Sequence, residues 1–156
     1  MRKESLIAEC RDLFPATPAS THATQLLRPD LNDSVRLSWV EFIEGFHLID
    51  DMEAFSSLSG EDRLALLPAM LIAATDDDPC TDFPFLDYIF GDIIAYREPE
   101  YWDLRFRATW LSLDSMQIDC IKRFVGQATE WFSEHDQERI MYTIDNIIAY
   151  QELSSD

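Results

Sequence analysis

Glu44-Gly45-Phe46-His47 is the first place where residue types and spacing could do chemistry. A Glu-x-x-His on a helix puts a carboxylate and an imidazole on one face, a unit that di-iron bundles use twice. Here it occurs once, Gly45 lies inside it, and His22 and His135 have no matching partner. His47 therefore reads as a partly buried or capping histidine. The run from Asp76-Asp77-Asp78 through Asp82 to Asp87 has the acidity of a calcium loop. An EF-hand alternates oxygen ligands and needs Gly at position six and Glu at position twelve. Counted from Asp76, those positions hold Thr81 and Asp87, and Pro79-Cys80 breaks the ligand series. The run reads as a solvated acidic loop, and no metal or cofactor is expected.

Nucleophilic chemistry finds no better footing. Cys10, Cys80 and Cys120 lie far apart with no C-x-x-C spacing and no His close in sequence, which suits reduced thiols rather than disulfides or zinc. There is no G-x-S-x-G and no glycine-rich phosphate cradle. A carboxyl group held protonated for acid–base work would need an apolar setting. Asp92 and Asp145, each between apolar residues, come nearest, and both read more simply as turn or helix-surface positions. The residues point away from an enzyme.

The elements that would position these groups are helical. Glycine is scarce and strand-like alternation is hard to find, whereas helix punctuation recurs. Glu4 to Phe14 sets Leu6, Ile7, Cys10, Leu13 and Phe14 on one face before Pro15 and Pro18. Ser20 or Thr21 could cap a short helix ended by Pro29, and Asn32 or Asp33 could cap another that carries Val35 to Ile43. Phe46 to Phe55 reads as a further short helix. Ser59-Gly60-Glu61-Asp62 resembles a capping box and opens a helix to about Ala74 that is apolar on nearly every side. Such a helix belongs at the centre of a fold, and Pro68 should kink it.

Pro84 opens a helix with Phe85 or Leu86, Ile89, Ile93 and Tyr96 inward, followed by a short element from Tyr101 to Trp110. Asp114-Ser115-Met116-Gln117 and Ser133-Glu134-His135-Asp136 start the last two helices, which a short connection must fold into an antiparallel hairpin. The expectation is an all-α chain: one compact domain over residues 1–156, of about six to eight helices, ending in a helical hairpin.

Charge is the unusual quantity. Thirty acids against twelve bases give −18 over 156 residues, with fifteen acids before residue 79 and fifteen after. Nineteen aromatic residues, 12% of the chain, argue against a disordered acidic tail. A field of this sign repels nucleic-acid phosphates and anionic membranes and draws basic proteins in. Met1-Arg2-Lys3-Glu4 leads into an amphipathic segment rather than a secretory core, and the longest apolar run, Leu64 to Ala74, is too short to span a bilayer. A cytoplasmic location is the expectation.

Several bases are spaced to pair within their own helices: Asp103 with Arg107, Asp119 with Arg123, and Asp136 with Arg139. That leaves most acids without partners. Eighteen of the thirty are Asp, whose short, stiff carboxylates suit fixed presentation to Arg and Lys. The densest stretch holds Asp76, Asp77, Asp78, Asp82, Asp87, Asp92, Glu98, Glu100 and Asp103 against Arg97 alone. It also supplies Tyr88, Phe90, Tyr101 and Trp102, of the aromatic type that anchors interfaces. The expected partner-binding residues are Asp76, Asp77, Asp78, Asp82, Asp87, Glu98, Glu100, Tyr101, Trp102 and Asp103.

One ordered pattern carries a resemblance. Trp39 is followed by Leu58-Ser59-Gly60-Glu61-Asp62-Arg63 leading into Leu67-Pro68-Ala69-Met70-Leu71. Then comes Leu113-Asp114-Ser115-Met116-Gln117-Ile118 with Ile121 and Phe124. Over roughly residues 35 to 130 this is similar to a family of small bacterial helical proteins with a Trp, a Leu-Pro-Ala-x-Leu helix and a Leu-x-x-x-Gln helix start. In size and acidity such proteins resemble the immunity proteins that neutralise bacterial toxins. The pattern consists of structural residues and carries no catalytic ones; the Asp76–Asp82 loop and the Phe83–Tyr101 stretch lie outside it. The resemblance implies a non-enzymatic inhibitor whose partner is a basic protein such as a cognate toxin, with no direct nucleic-acid or membrane contact. A nucleic-acid mimic of the kind phages direct against DNA- or RNA-binding machines is the alternative.

Overall fold

The computed structural model describes residues 2–45, 52–75, 85–128 and 132–156. Among these, all regular structure is helical, as expected: nine α-helices, one 3-10 turn at Pro99–Tyr101, and no strand. In chain order they are α1 (Lys3–Leu13), α2 (Thr21–Leu27), α3 (Trp39–Gly45), α4 (Met52–Ser56) and α5 (Gly60–Ala74). Then follow α6 (Phe85–Ala95), α7 (Leu104–Trp110), α8 (Ser115–Gln127) and α9 (Glu134–Ser154). The count is one above the expected range of six to eight.

The centre of the fold is α5. Leu66, Leu67, Ala69, Met70, Leu71 and Ile72 are all buried, and the helix runs unbroken through Pro68. It packs against α1, α3, α6 and α7. The contact with α7 is the tightest, because Gly60 lets the two backbones approach: a Cβ there would lie 2.6 Å from both the Ala108 Cβ and the Arg105 carbonyl oxygen. The Thr109 hydroxyl donates to the Gly60 carbonyl at 3.1 Å across the same contact. A second layer forms where α9 packs on α6 and α8, with Phe90 at its heart, stacked near Trp110 and Phe124 and edge-on to Phe132 at 5.6 Å.

The helix starts bear out the punctuation in the sequence. Ser59 accepts from the Asp62 N–H. The Asp62 carboxylate in turn accepts from the Ser20 N–H and hydroxyl, both at 2.7 Å, so the starts of α2 and α5 are stapled together. Asp114 and Gln117 form a full reciprocal capping box. The third helix begins later than expected. Asn32 accepts from the Ser34 N–H in a local turn, and residues 35–38 are not helical, with the Leu37 N–H donating to the Thr24 hydroxyl. The cap at Trp39 comes instead from Glu41, which accepts from the Ser38 N–H at 2.7 Å.

The expected pairing of bases inside their own helices is not what the side chains do. Arg123 of α8 pairs with Glu9 of α1, Lys122 with Asp145 of α9, and Arg107 reaches across to Tyr150. Asp103 caps α7, accepting from the Phe106 N–H at 2.7 Å. Long Arg side chains find carbonyls, rings and acids on neighbouring elements, where partial burial strengthens each bond more than an exposed pair along one helix would.

Candidate surface at the α6–α7 connection

The expected binding stretch divides into three parts in the structure. Asp76, Asp77, Asp78 and Asp82 lie outside the described residues, as do His47 and Cys80. Asp87 is exposed in the first turn of α6, where its charge favours the helix dipole. The remainder, Glu98 to Asp103, forms the connection from α6 to α7, and here the expected roles separate.

Trp102 is the clearest correction. It is 4% exposed, its ring stacks on Phe106 at 4.9 Å and meets Tyr150 edge-on at 5.5 Å, and its indole N–H donates to the Tyr96 carbonyl at 2.7 Å. A ring satisfied on both faces and at its nitrogen belongs to the core and cannot anchor a partner. Phe90 is likewise core, whereas Tyr96, expected inward, is exposed. Of the aromatics in the stretch, Tyr101 carries the expectation: it is 62% exposed.

Neighbouring helices hold the backbone of this connection. Arg107 Nε donates to the Trp102 carbonyl at 2.9 Å, and its guanidinium lies over the Tyr150 ring while Nη1 donates to the Tyr150 hydroxyl. From α9, Asn146 donates to the Arg97 carbonyl at 3.0 Å and the Tyr142 hydroxyl donates to Glu98 at 2.9 Å. Glu98 and Asp103 are therefore occupied in the fold itself. Glu100 and Tyr101, on the 3-10 turn, project from a backbone fixed on both sides. Leu104, 86% exposed at the start of α7, continues the apolar surface, with Tyr142 of α9 also exposed.

Two acids singled out as candidates for proton transfer have ordinary structural work. Asp145 is exposed and pairs with Lys122. Asp92 pairs with Arg63 at 3.1 Å and also accepts from the Trp110 indole N–H at 3.2 Å. Arg63 is 2% exposed and lies over the Phe55 ring, and burial lowers its pKa from the ordinary arginine value, partly offset by the Asp92 charge. The network ties α5, α6 and α7 together.

Cys10 and Cys120 are free, buried and adjacent. The Cys120 thiol hydrogen-bonded beside it, together with burial, pushes the Cys10 pKa far up, so it stays a thiol. Among the described residues, no group of His, Cys, Asp and Glu side chains is arranged to hold a metal, and no helix is long and apolar enough to cross a membrane.

No protein-family model matches the chain. No curated protein and no solved structure matches it either.

Proposed function

We propose that this chain is a non-enzymatic acidic binding protein that masks a basic protein surface, most simply as an immunity or inhibitor protein for a bacterial toxin. The observation that supports this reading is the α6–α7 connection. It presents an exposed carboxylate, Glu100, with no partner among the described residues, beside an exposed ring, Tyr101, on a backbone clamped by Arg107, Tyr142 and Asn146. A net charge of −18 would speed encounter with a basic partner, and the aromatic anchor would slow release. Rigid presentation lowers the ordering cost of binding.

The test uses a partner captured from the native host at low and moderate salt. Its kinetics are then compared across Glu100→Gln, Tyr101→Ala and the triple change of Asp76, Asp77 and Asp78 to Asn. The charge variants should slow association and flatten its salt dependence. Tyr101→Ala should speed dissociation about tenfold or more if the ring is an anchor. Parental kinetics in all three, with loss of binding on changes to a different face, would refute the site.

A further inference from the structure

A groove of about 380 Å³ opens where the chain after α1 meets α5, α7 and the start of α8. Phe14, Leu64, Ala65, Pro68 and Ala108 form its apolar walls. Its size falls within the roughly 300–1,000 Å³ typical of ligand clefts. Three features decide what it could hold. Pro68 has no N–H, so the Leu64 carbonyl one turn earlier lacks its helical donor, and both residues line the groove. Glu61 is the only charged side chain in the lining; it is exposed, and no hydrogen bond or ion pair engages it among the described residues. Gln117 is committed elsewhere, donating to the Leu13 carbonyl at 3.0 Å and accepting from the Asp114 N–H at 2.9 Å.

Among the described residues that line it, the groove thus offers apolar walls around a single negative charge and no cation. An anionic occupant is repelled, and a purely apolar one would leave the carboxylate unused. We infer that the groove takes an apolar side chain flanked by lysine or arginine, on an extended segment of the basic protein partner. This rests on the reading of the chain as an acidic binder and names the partner chemistry it selects. Leu104, Ala108 and Ser112 recur at four-residue spacing and lie on one face of α7 and its continuation. That face runs from the connection bearing Tyr101 into the groove, which Ala108 and Ser112 line. A partner segment laid along it would pass Glu100 and Tyr101 and reach the groove that Glu61 lines.

The experiment is an amide ¹H–¹⁵N titration of the full chain with three blocked tripeptides, Lys-Leu-Lys, Lys-Ser-Lys and Glu-Leu-Glu, to millimolar concentration. Saturable shifts at Thr17, Ala65, Ala108 and Ser112 are expected with Lys-Leu-Lys alone. Glu61→Gln should weaken that binding about two- to fivefold and reduce its salt dependence. Ala65→Phe, which fills the groove, should abolish the shifts; if it melts early, Glu61→Gln and the peptide comparison decide. Equal response to Glu-Leu-Glu or to Lys-Ser-Lys, or no saturable response in the groove, overturns the inference. Shifts from the lysine peptides confined to Glu100 and Tyr101 defeat the groove while leaving the acidic-binder reading standing. Silence at both places, joined to salt-independent capture of the host partner, defeats both.

Discussion

Removing the Asp92 carboxylate tests whether the buried ion pair holds the three central helices together. In Asp92→Ala the Arg63 guanidinium, with 3% of its side chain exposed, keeps its charge and loses its salt-bridge partner among the described residues. What remains among the described residues is a bond of 3.4 Å to the Tyr88 carbonyl and the face of the Phe55 ring at 5.3 Å, while Nε has no partner among them even in the parent. The Trp110 indole N–H loses its acceptor as well. Breaking a buried pair on one side costs about 3–5 kcal/mol, and the orphaned indole adds about 1 kcal/mol. For a chain of this size each kcal/mol moves Tm by about 2–4 °C, so a fall of about 8–24 °C is expected.

Arg63→Met should cost less, because the Asp92 side chain keeps 13% exposure and can turn toward water. The double variant replaces the pair with apolar groups and should recover most of the loss, giving a coupling of about 2–3 kcal/mol in urea unfolding. A loss below about 1 kcal/mol for Asp92→Ala, or additive single and double variants, would refute the assignment of this pair as a structural tie.

Two further stability changes probe the centre of the fold. Gly60→Ala gains up to about 1 kcal/mol of helix propensity but places a Cβ 2.6 Å from backbone and from Ala108; overpacking of about 1–3 kcal/mol should win. A lower urea midpoint with unchanged m is the expected reading, and a stabilised variant would show that α7 can retreat. Leu67→Ala, at a position 1% exposed, should cost about 2–5 kcal/mol, and a loss under about 0.5 kcal/mol would remove α5 from the core.

Local chemistry was legible in the sequence wherever a few neighbouring residues settle the outcome. Ser59 and Asp114 cap the helices their spacing announced, and the apolar run from Leu64 to Ala74 lies in the central helix. The errors fall where distant neighbours decide. Trp102 stands beside Tyr101 in an acidic stretch, and nothing local tells which ring turns inward; Phe106 and Tyr150 settle it. Arg107 lies four residues from Asp103, yet the Tyr150 ring and two carbonyls from the connection give it more than an exposed carboxylate could. The groove went unseen because its walls come from four separate segments. A signal was present: Glu61, Leu64 or Ala65, and Pro68 share one face of a helix that is apolar from Leu64 onward. An acid and a proline on that face mark where the helix is not fully covered.

Acid count alone therefore overstates the binding surface of this chain. Of the described acids between residues 87 and 103, Asp92 neutralises a buried arginine, Asp103 caps a helix and Glu98 holds a tyrosine from α9. Asp92 and Asp103 satisfy groups that would otherwise lack a partner, and Glu98 fixes the connection to α9, so turning any of them to an incoming lysine gives up a bond within the fold. Glu100, and Glu61 at the groove, are exposed and have no hydrogen bond or ion pair among the described residues. Affinity for a basic partner should accordingly respond to these two far more than to Asp92, Asp103 or Glu98, whose removal should first lower stability. The two groups of variants separate in a plot of binding against Tm. Glu61 and Glu100 changes should fall in affinity at constant Tm, while the other three lose affinity only as unfolding sets in. If affinity instead falls by the same factor for every acid removed, whatever its place, the partner senses only net charge and no built surface is needed.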